Sequence, residues 1–295
     1  MTELDKLDAR TLSTSALLVD YSLSAPSVSK KAKEKTTEVR RKEDTNAVSV
    51  NKEPYMGTNI KDIISLHSEV RKVVDETLTL AWEKGGCKLL PMTNYQKYIE
   101  YMTKKKDKHD ELVQKFRNNI PVMVAKAPDR MKDLFDEGDY PDPDCEVSIN
   151  NFMSKFKFDY ENFFPVPEAG DFRVDVNSGA MDDLKTGLEN MLKKRLELGK
   201  NSLWERGYDI LKQWQDMPNK ASVSKTTVHT NAENLIKLID SANITNDRNL
   251  KRLRDDLELI VKSTNIEMLR DKDCRSMEKE LLSKKAGEVL KKFDF

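Results

Sequence analysis

The stretch "KFKFDYENFFPVPEAGDFRVDV", residues 155–176, decides the fold class. Phe156, Phe158 and Tyr160 alternate with Lys155, Lys157 and Asp159, the period of a strand with one buried face. Pro165 cannot donate to a ladder and ends that strand. Pro165 and Pro167 hold the link extended, and Gly170 permits a turn. Phe172 and Val174 then share one face of a second strand, with Asp171 and Arg173 on the other. A rigid corner accounts for each of these residues without catalysis.

Two further stretches read as strands. In "ALLVDYSLSAPSVSKK", Leu18, Asp20, Ser22 and Ser24 alternate with Val19, Tyr21 and Leu23, and Ala47–Val50 carries a shorter signal. Residues near 15–25, 46–50, 154–164 and 171–176 are therefore expected to form a small antiparallel sheet.

The remainder reads as helix. Asn59 caps a helix to about Trp82, with Ile60, Ile63, Ile64, His67, Val70, Val74, Leu78 and Trp82 at helical spacing. After a Gly-Gly break, Thr93 or Asn94 caps a second helix with Tyr95, Tyr98, Ile99, Met102, His109, Leu112, Val113 and Phe116 on its stripe. Pro121 kinks or ends it. The short connection predicts that the two pack antiparallel. A short helix is expected at 146–153, a long one from 182 to Pro218, and shorter ones near 231–242, 247–270 and 273–293. The fold class is α+β, predominantly α-helical, with long helices packed on a small antiparallel sheet. By composition, residues 1–14 are frayed, 15–217 form the main domain, 218–230 are a polar linker, and 231–295 are a C-terminal helical region.

Composition agrees with long solvated helices: 35% of the residues are charged, and glycine and proline number ten each. Lys+Arg equals Asp+Glu, at 51 each, which disfavours general attraction to nucleic-acid phosphate. Cys87, Cys145 and Cys274 are odd in number and far apart, so they give no disulfide framework and read as reduced thiols. The chain has no apolar run of spanning length, and its start lacks the pattern of a signal peptide. A soluble, intracellular protein is expected, with no cofactor.

No nucleotide-binding glycine loop, nucleophile elbow or zincin motif occurs. The remaining candidates are weaker. His67 and His109 lie on facing stripes, and with Cys87 they supply three possible metal ligands, although without zinc-like spacing. The acids Asp136, Glu137, Asp139, Asp142, Asp144 and Glu146 could hold a hard cation and serve a metal-dependent nuclease, or form a solvated turn. Residues 30–45 read as a charged hairpin or loop. Lys30, Lys31, Arg40 and Arg41, together with Lys155 and Lys157 among the aromatics, are the candidates for a single-stranded nucleic-acid contact.

The order of several short motifs resembles a family of uncharacterised phage and prophage proteins. These are Thr77, Leu78 and Trp82; Gly86, Lys88, Leu89, Leu90 and Pro91; Tyr95 and Tyr98; Asp139, Tyr140 and Pro141; and Pro165, Val166, Pro167, Asp171, Phe172, Arg173 and Val174. The resemblance covers roughly residues 15–200 and leaves the C-terminal helices outside. It implies a phage accessory protein in the host cytoplasm, acting with a MoxR-type AAA+ ATPase or a CobT-like von Willebrand protein. The expectation is a non-enzymatic adaptor that binds a protein partner or self-associates. Trp82, Tyr140, Pro165, Pro167, Asp171, Phe172 and Arg173 are its expected contact residues. Single-stranded nucleic-acid binding is the alternative.

Overall fold

The computed structural model describes residues 12–83, 86–167, 178–219, 225–244, 246–265, 267–269 and 274–293. In chain order the elements are β1 (Ala16–Ser24), β2 (Lys30–Lys31), α1 (Lys33–Lys42), β3 (Asn51–Lys52) and α2 (Ile60–Val73). A π turn at Val74–Leu78 leads into β4 (Leu80–Ala81) and β5 (Lys88–Pro91). Next come α3 (Met92–Asn118), α4 (Ile120–Ala125), α5 (Ala127–Met131), α6 (Glu146–Met153) and β6 (Lys157–Pro165). The long α7 (Ser178–Gln215) precedes α8 (Lys225–Ala242), α9 (Arg248–Ser263) and α10 (Arg275–Lys292). The fold is α+β and predominantly helical, as the periodicities predict. The four-stranded sheet has the order β4-β5-β1-β6.

The chain divides into two units. One comprises 1–20, 73–98 and 161–295; the other comprises 21–72 and 99–160. The C-terminal helices thus join the unit of α7 and the first strands, where composition suggests a boundary near 217. Apolar burial is the reason. Trp82, Leu89, Leu203, Leu211, Trp214, Leu235, Leu253, Leu257 and Leu282 share one core. The polar run before 231 conceals a helical turn, because α8 begins at Lys225. Leu12 is buried in the same core, and residues 1–11 of the segment expected to fray lie outside the described residues.

Within this unit β1 pairs antiparallel with β5, Ala16 opposite Pro91 and Leu18 opposite Leu89, and β4 pairs with β5, Leu80 opposite Leu89. Strands β4 and β5 escape periodicity because they are too short to show alternation. The π turn exposes carbonyls that α7 satisfies: Arg206 donates to Glu76 O at 2.5 Å and to Asp75 O at 3.4 Å. Asn94 ties the start of α3 to the same turn, donating to Leu78 O at 3.0 Å and to Ser241 Oγ at 2.9 Å. Helices α7 and α9 approach closely at Gly207, where an added Cβ would lie 2.7 Å from Leu253 Cδ2. Gly207→Val is therefore expected to cost about 1–3 kcal/mol by overpacking, read as a lower thermal midpoint.

The second unit surrounds Tyr55, Ile60, Ile63, Phe116, Ile120, Met123, Phe152 and Phe156. Residues 30–52 form neither a hairpin nor an open loop. They form strand, helix and strand, with β2 and β3 antiparallel, Lys30 opposite Lys52. Thr36 fastens α1 across this loop, its hydroxyl accepting from Val50 N at 3.1 Å.

Candidate functional site

Three arrangements in the described residues gather charge or exposed apolar surface. The first lies in the second unit, where Asp139 sits between two lysines. Lys30 Nζ reaches its Oδ1 at 3.1 Å, and Lys52 Nζ lies 2.6 Å from Oδ2 and 3.4 Å from Asp136 Oδ2. The side chains of Lys52 and Asp139 are only 6% and 10% exposed. Burial pulls the Lys52 ammonium down, but the bond to Asp139 and the charges of Asp139 and Asp136 outweigh it, and the net shift is upward. Tyr55 donates to Asp139 O at 3.0 Å, and Tyr140 donates to Pro54 O at 3.1 Å. Asp136 and Asp139 thus face ammonium groups, so these two acids are not a free cation-binding pair. The Asp139-Tyr140-Pro141 motif has a structural use here, fastening its loop to β2 and β3. Tyr140 is half-buried and packs edge-on against Tyr55.

The second is the histidine pair. His67 on α2 and His109 on α3 stack with ring centroids 5.1 Å apart and planes 22° apart. Phe158 of β6 closes against both, at 6.2 and 5.3 Å. The residues are 2% and 3% exposed. Asp110 Oδ1 lies 3.1 Å from His109 Nδ1, and an ionised carboxylate only accepts, so Nδ1 carries the proton. Nε2 of each ring is buried without a hydrogen-bond partner. Burial, then the charges of His109 and Arg71, push the His67 pKa down to about 4. Burial also lowers that of His109, against the opposing pull of Asp110. The sequence places these two rings together correctly. Cys87 belongs to the other unit, packed at the edge of its core, and no group of three His, Cys, Asp or Glu side chains suited to a metal occurs among the described residues. His67 and His109 form a buried, stacked pair, and Cys87 does not join them in a ligand group among the described residues.

The nucleic-acid candidates are scattered in role. Lys30 is committed to Asp139, and Arg40 Nε donates to Val48 O at 2.8 Å. Lys155 lies over the Phe152 ring, 5.0 Å from its centroid, while Lys31, Arg41 and Lys157 are exposed. Phe152, Phe156 and Phe158 are buried and build core, Tyr160 and Phe163 are half-buried, and Phe164 is 48% exposed. Of the expected partner contacts, Trp82 is fully buried, with Arg195 stacked 5.7 Å from its ring centroid. Pro165 is exposed and Pro167 half-buried. Asp171, Phe172 and Arg173 lie outside the described residues.

The third arrangement gave no signal in the motifs. Helices α9 and α10 run antiparallel, fixed by Lys292 Nζ on Asp256 Oδ2 at 2.6 Å and by Lys285 Nζ on Ser263 Oγ at 2.9 Å. Asp247 caps α9, accepting from Asn249 N and Leu250 N. Leu250, Leu253, Leu257 and Ile260 turn inward. On the outer side a groove of about 500 Å³ runs between the two helices, lined by Asp256, Leu259, Ile260, Ser263, Lys285, Glu288, Val289 and Lys292. Leu259 is 67% exposed on its wall, and Met277 and Leu281 are 60% and 43% exposed. Helical spacing places Met277 and Leu281 on the α10 face that continues through Lys285, Glu288 and Lys292. The signal in the sequence is a leucine at position 259, off the 250/253/257/260 seam and surrounded by charge.

No helix of the described residues is long and apolar enough to cross a membrane. No family model matches this chain, and neither the curated proteins nor the solved structures yield a match.

Proposed function

We propose that this chain is a non-enzymatic adaptor that binds a protein partner, or a second copy of itself, on the outer face of α9 and α10. The observation that carries this reading is exposed Leu259 on the wall of an apolar-floored groove rimmed by both signs of charge, with exposed Met277 and Leu281 further along α10. Exposed large apolar side chains next to a concave strip suit a partner helix, whose apolar face seats in the groove while the rim sets its register. Balanced rim charge favours selective pairing over general attraction to polyanions. The titratable groups support the same reading, since buried Asp139 is held by Lys30 and Lys52, exposed Asp136 lies 3.4 Å from Lys52, and His67 and His109 lie inside a core.

The resemblance to phage proteins makes an AAA+ ATPase or a von Willebrand protein the partner to try first, in a bacterial host cytoplasm. Tagged protein purified at moderate salt with nuclease treatment is expected to retain a protein in stoichiometric amount. Retention of nucleic acid alone, or of proteins that leave when nuclease is added, would instead favour the nucleic-acid alternative.

A further inference from the structure

We infer that the stacked histidines are an acid-released latch: protonation of the stack frees the first half of β6, Lys157–Tyr160, from β1 and from α2 and α3. This half of the strand belongs to the same unit as both rings. Phe158 is 3% exposed and packs against both imidazoles, so it helps to close them from water. Each Nε2 is buried with no hydrogen-bond partner. A neutral imidazole can leave Nε2 bare, but an imidazolium carries N–H on both nitrogens. In either ring the Nε2–H would then be a charged donor without an acceptor, stacked on the other ring at 5.1 Å.

The charges around the stack give no relief. Arg71 on α2 and Lys106 on α3 add charge of the same sign. Asp110 lies at His109 Nδ1, 3.1 Å away, and is shared with Lys106. Glu69 of α2 is bonded to Lys105 of α3 at 2.7 Å. On β6, Lys157 and Asp159 are exposed and alternate with Phe158, on the opposite face of the strand. The adjoining part of β1, Tyr21 to Ser24, carries no charged side chain. The protonated stack therefore has to reach water, and β6 is the element that gives way. Helices α2 and α3 are 14 and 27 residues long, and Asn59 Nδ2 donates to Leu112 O between them at 2.8 Å. Strand β6 ends the sheet, and among the described residues it pairs only with β1. Phe158 and a 3.0 Å contact between the Tyr160 and Thr103 hydroxyls tie it to the helices. An outer strand opens at lower cost than two packed helices part. Phe156, packed on Phe116 and Phe152, anchors the chain just before the strand and serves as the hinge.

The sign follows from His67, whose pKa is about 4 while the latch is closed and returns toward 6.5 once water reaches the ring. Below pH 6.5 the open form takes up a proton that the closed form refuses, so the open fraction rises about 30-fold between about pH 7.5 and pH 5. Hydrogen exchange of the full chain, read by mass spectrometry at these two pH values and corrected for the intrinsic effect of pH, tests the latch. Peptides covering Lys157–Tyr160 are expected to show the rise of about 30-fold, while those of α2, α3 and α9 keep their protection. His67→Phe keeps a flat ring in the stack and takes up no proton, so it is expected to cut the rise several-fold. Equal corrected exchange of Lys157–Tyr160 at the two pH values overturns the latch. A rise shared equally by α2 and α3 also overturns it, because the whole unit would then be unfolding. So does a His67→Phe variant with an unaltered thermal midpoint near neutral pH whose strand responds to acid as the wild type does. Where that variant is unstable, the comparison of β6 with α2 and α3 in the wild type decides.

Discussion

Asp139→Ala is expected to destabilise the unit formed by residues 21–72 and 99–160 by about 3–5 kcal/mol. The cost comes from what remains. Lys52 keeps a buried ammonium with only Asp136 near it, at 3.4 Å, and Lys30 loses its carboxylate. A solvent-exposed ion pair would change stability by about 1 kcal/mol at most, so the size of the loss separates the two situations. The double variant Lys52→Met/Asp139→Leu removes both buried charges together and is expected to recover much of the loss. Urea unfolding followed by the fluorescence of the tyrosines near Tyr55 and Tyr140 reads both. A loss under 1 kcal/mol for the single variant would show that water reaches Lys52 freely.

Acid is expected to weaken the same unit through His67. Its pKa falls to about 4 in the fold from an ordinary value of 6.5. Above pH 6.5 the ring is neutral in both states and contributes no pH dependence. As the pH falls from 6.5 toward 4, the unfolded chain takes up a proton that the folded chain refuses, and stability declines. The slope approaches about 1.4 kcal/mol per pH unit, for a total of about 3 kcal/mol, and this contribution flattens below pH 4. His109 acts in the same direction, since its pKa is also lowered by burial, although Asp110 opposes the shift. Arg71 beside His67 and Lys106 beside His109 disfavour a second positive charge in the stack. His67→Leu places an apolar side chain on the same helical stripe. It is expected to flatten the stability profile between pH 6.5 and 4 relative to the wild type. Parallel profiles for the two proteins would mean that the stack opens to solvent before it titrates.

The elements long enough to show a period were legible. The stripes of α2 and α3, the strand at Lys157–Pro165 and the short helix at Glu146–Met153 all follow from side-chain spacing. So does the meeting of His67 with His109, because each lies on the inward face of its helix. What escaped depends on distance in the chain. Asp139 finds Lys30 and Lys52 across more than eighty residues, and no local pattern announces that pairing. The charged segment after Lys30 read as a hairpin or loop because its anchors, Thr36 to Val50 and Lys52 to Asp139, are isolated contacts within a polar run. Trp82 read as a contact residue from its place in a motif, yet a large apolar ring beside two helices is better satisfied in the core. The α9–α10 face is legible only after the fold is known. Its leucine stands out once Leu250, Leu253, Leu257 and Ile260 are seen to be used inside.

The most direct measurement is the amount of protein partner, second copies included, that remains on tagged wild-type chain after nuclease treatment, compared with the Leu259→Glu/Leu281→Glu variant. Stoichiometric retention by the wild type and its loss in a variant with an unaltered thermal midpoint is the predicted result. Equal retention by both would place the interaction elsewhere on the chain and contradict the assignment of function to α9 and α10.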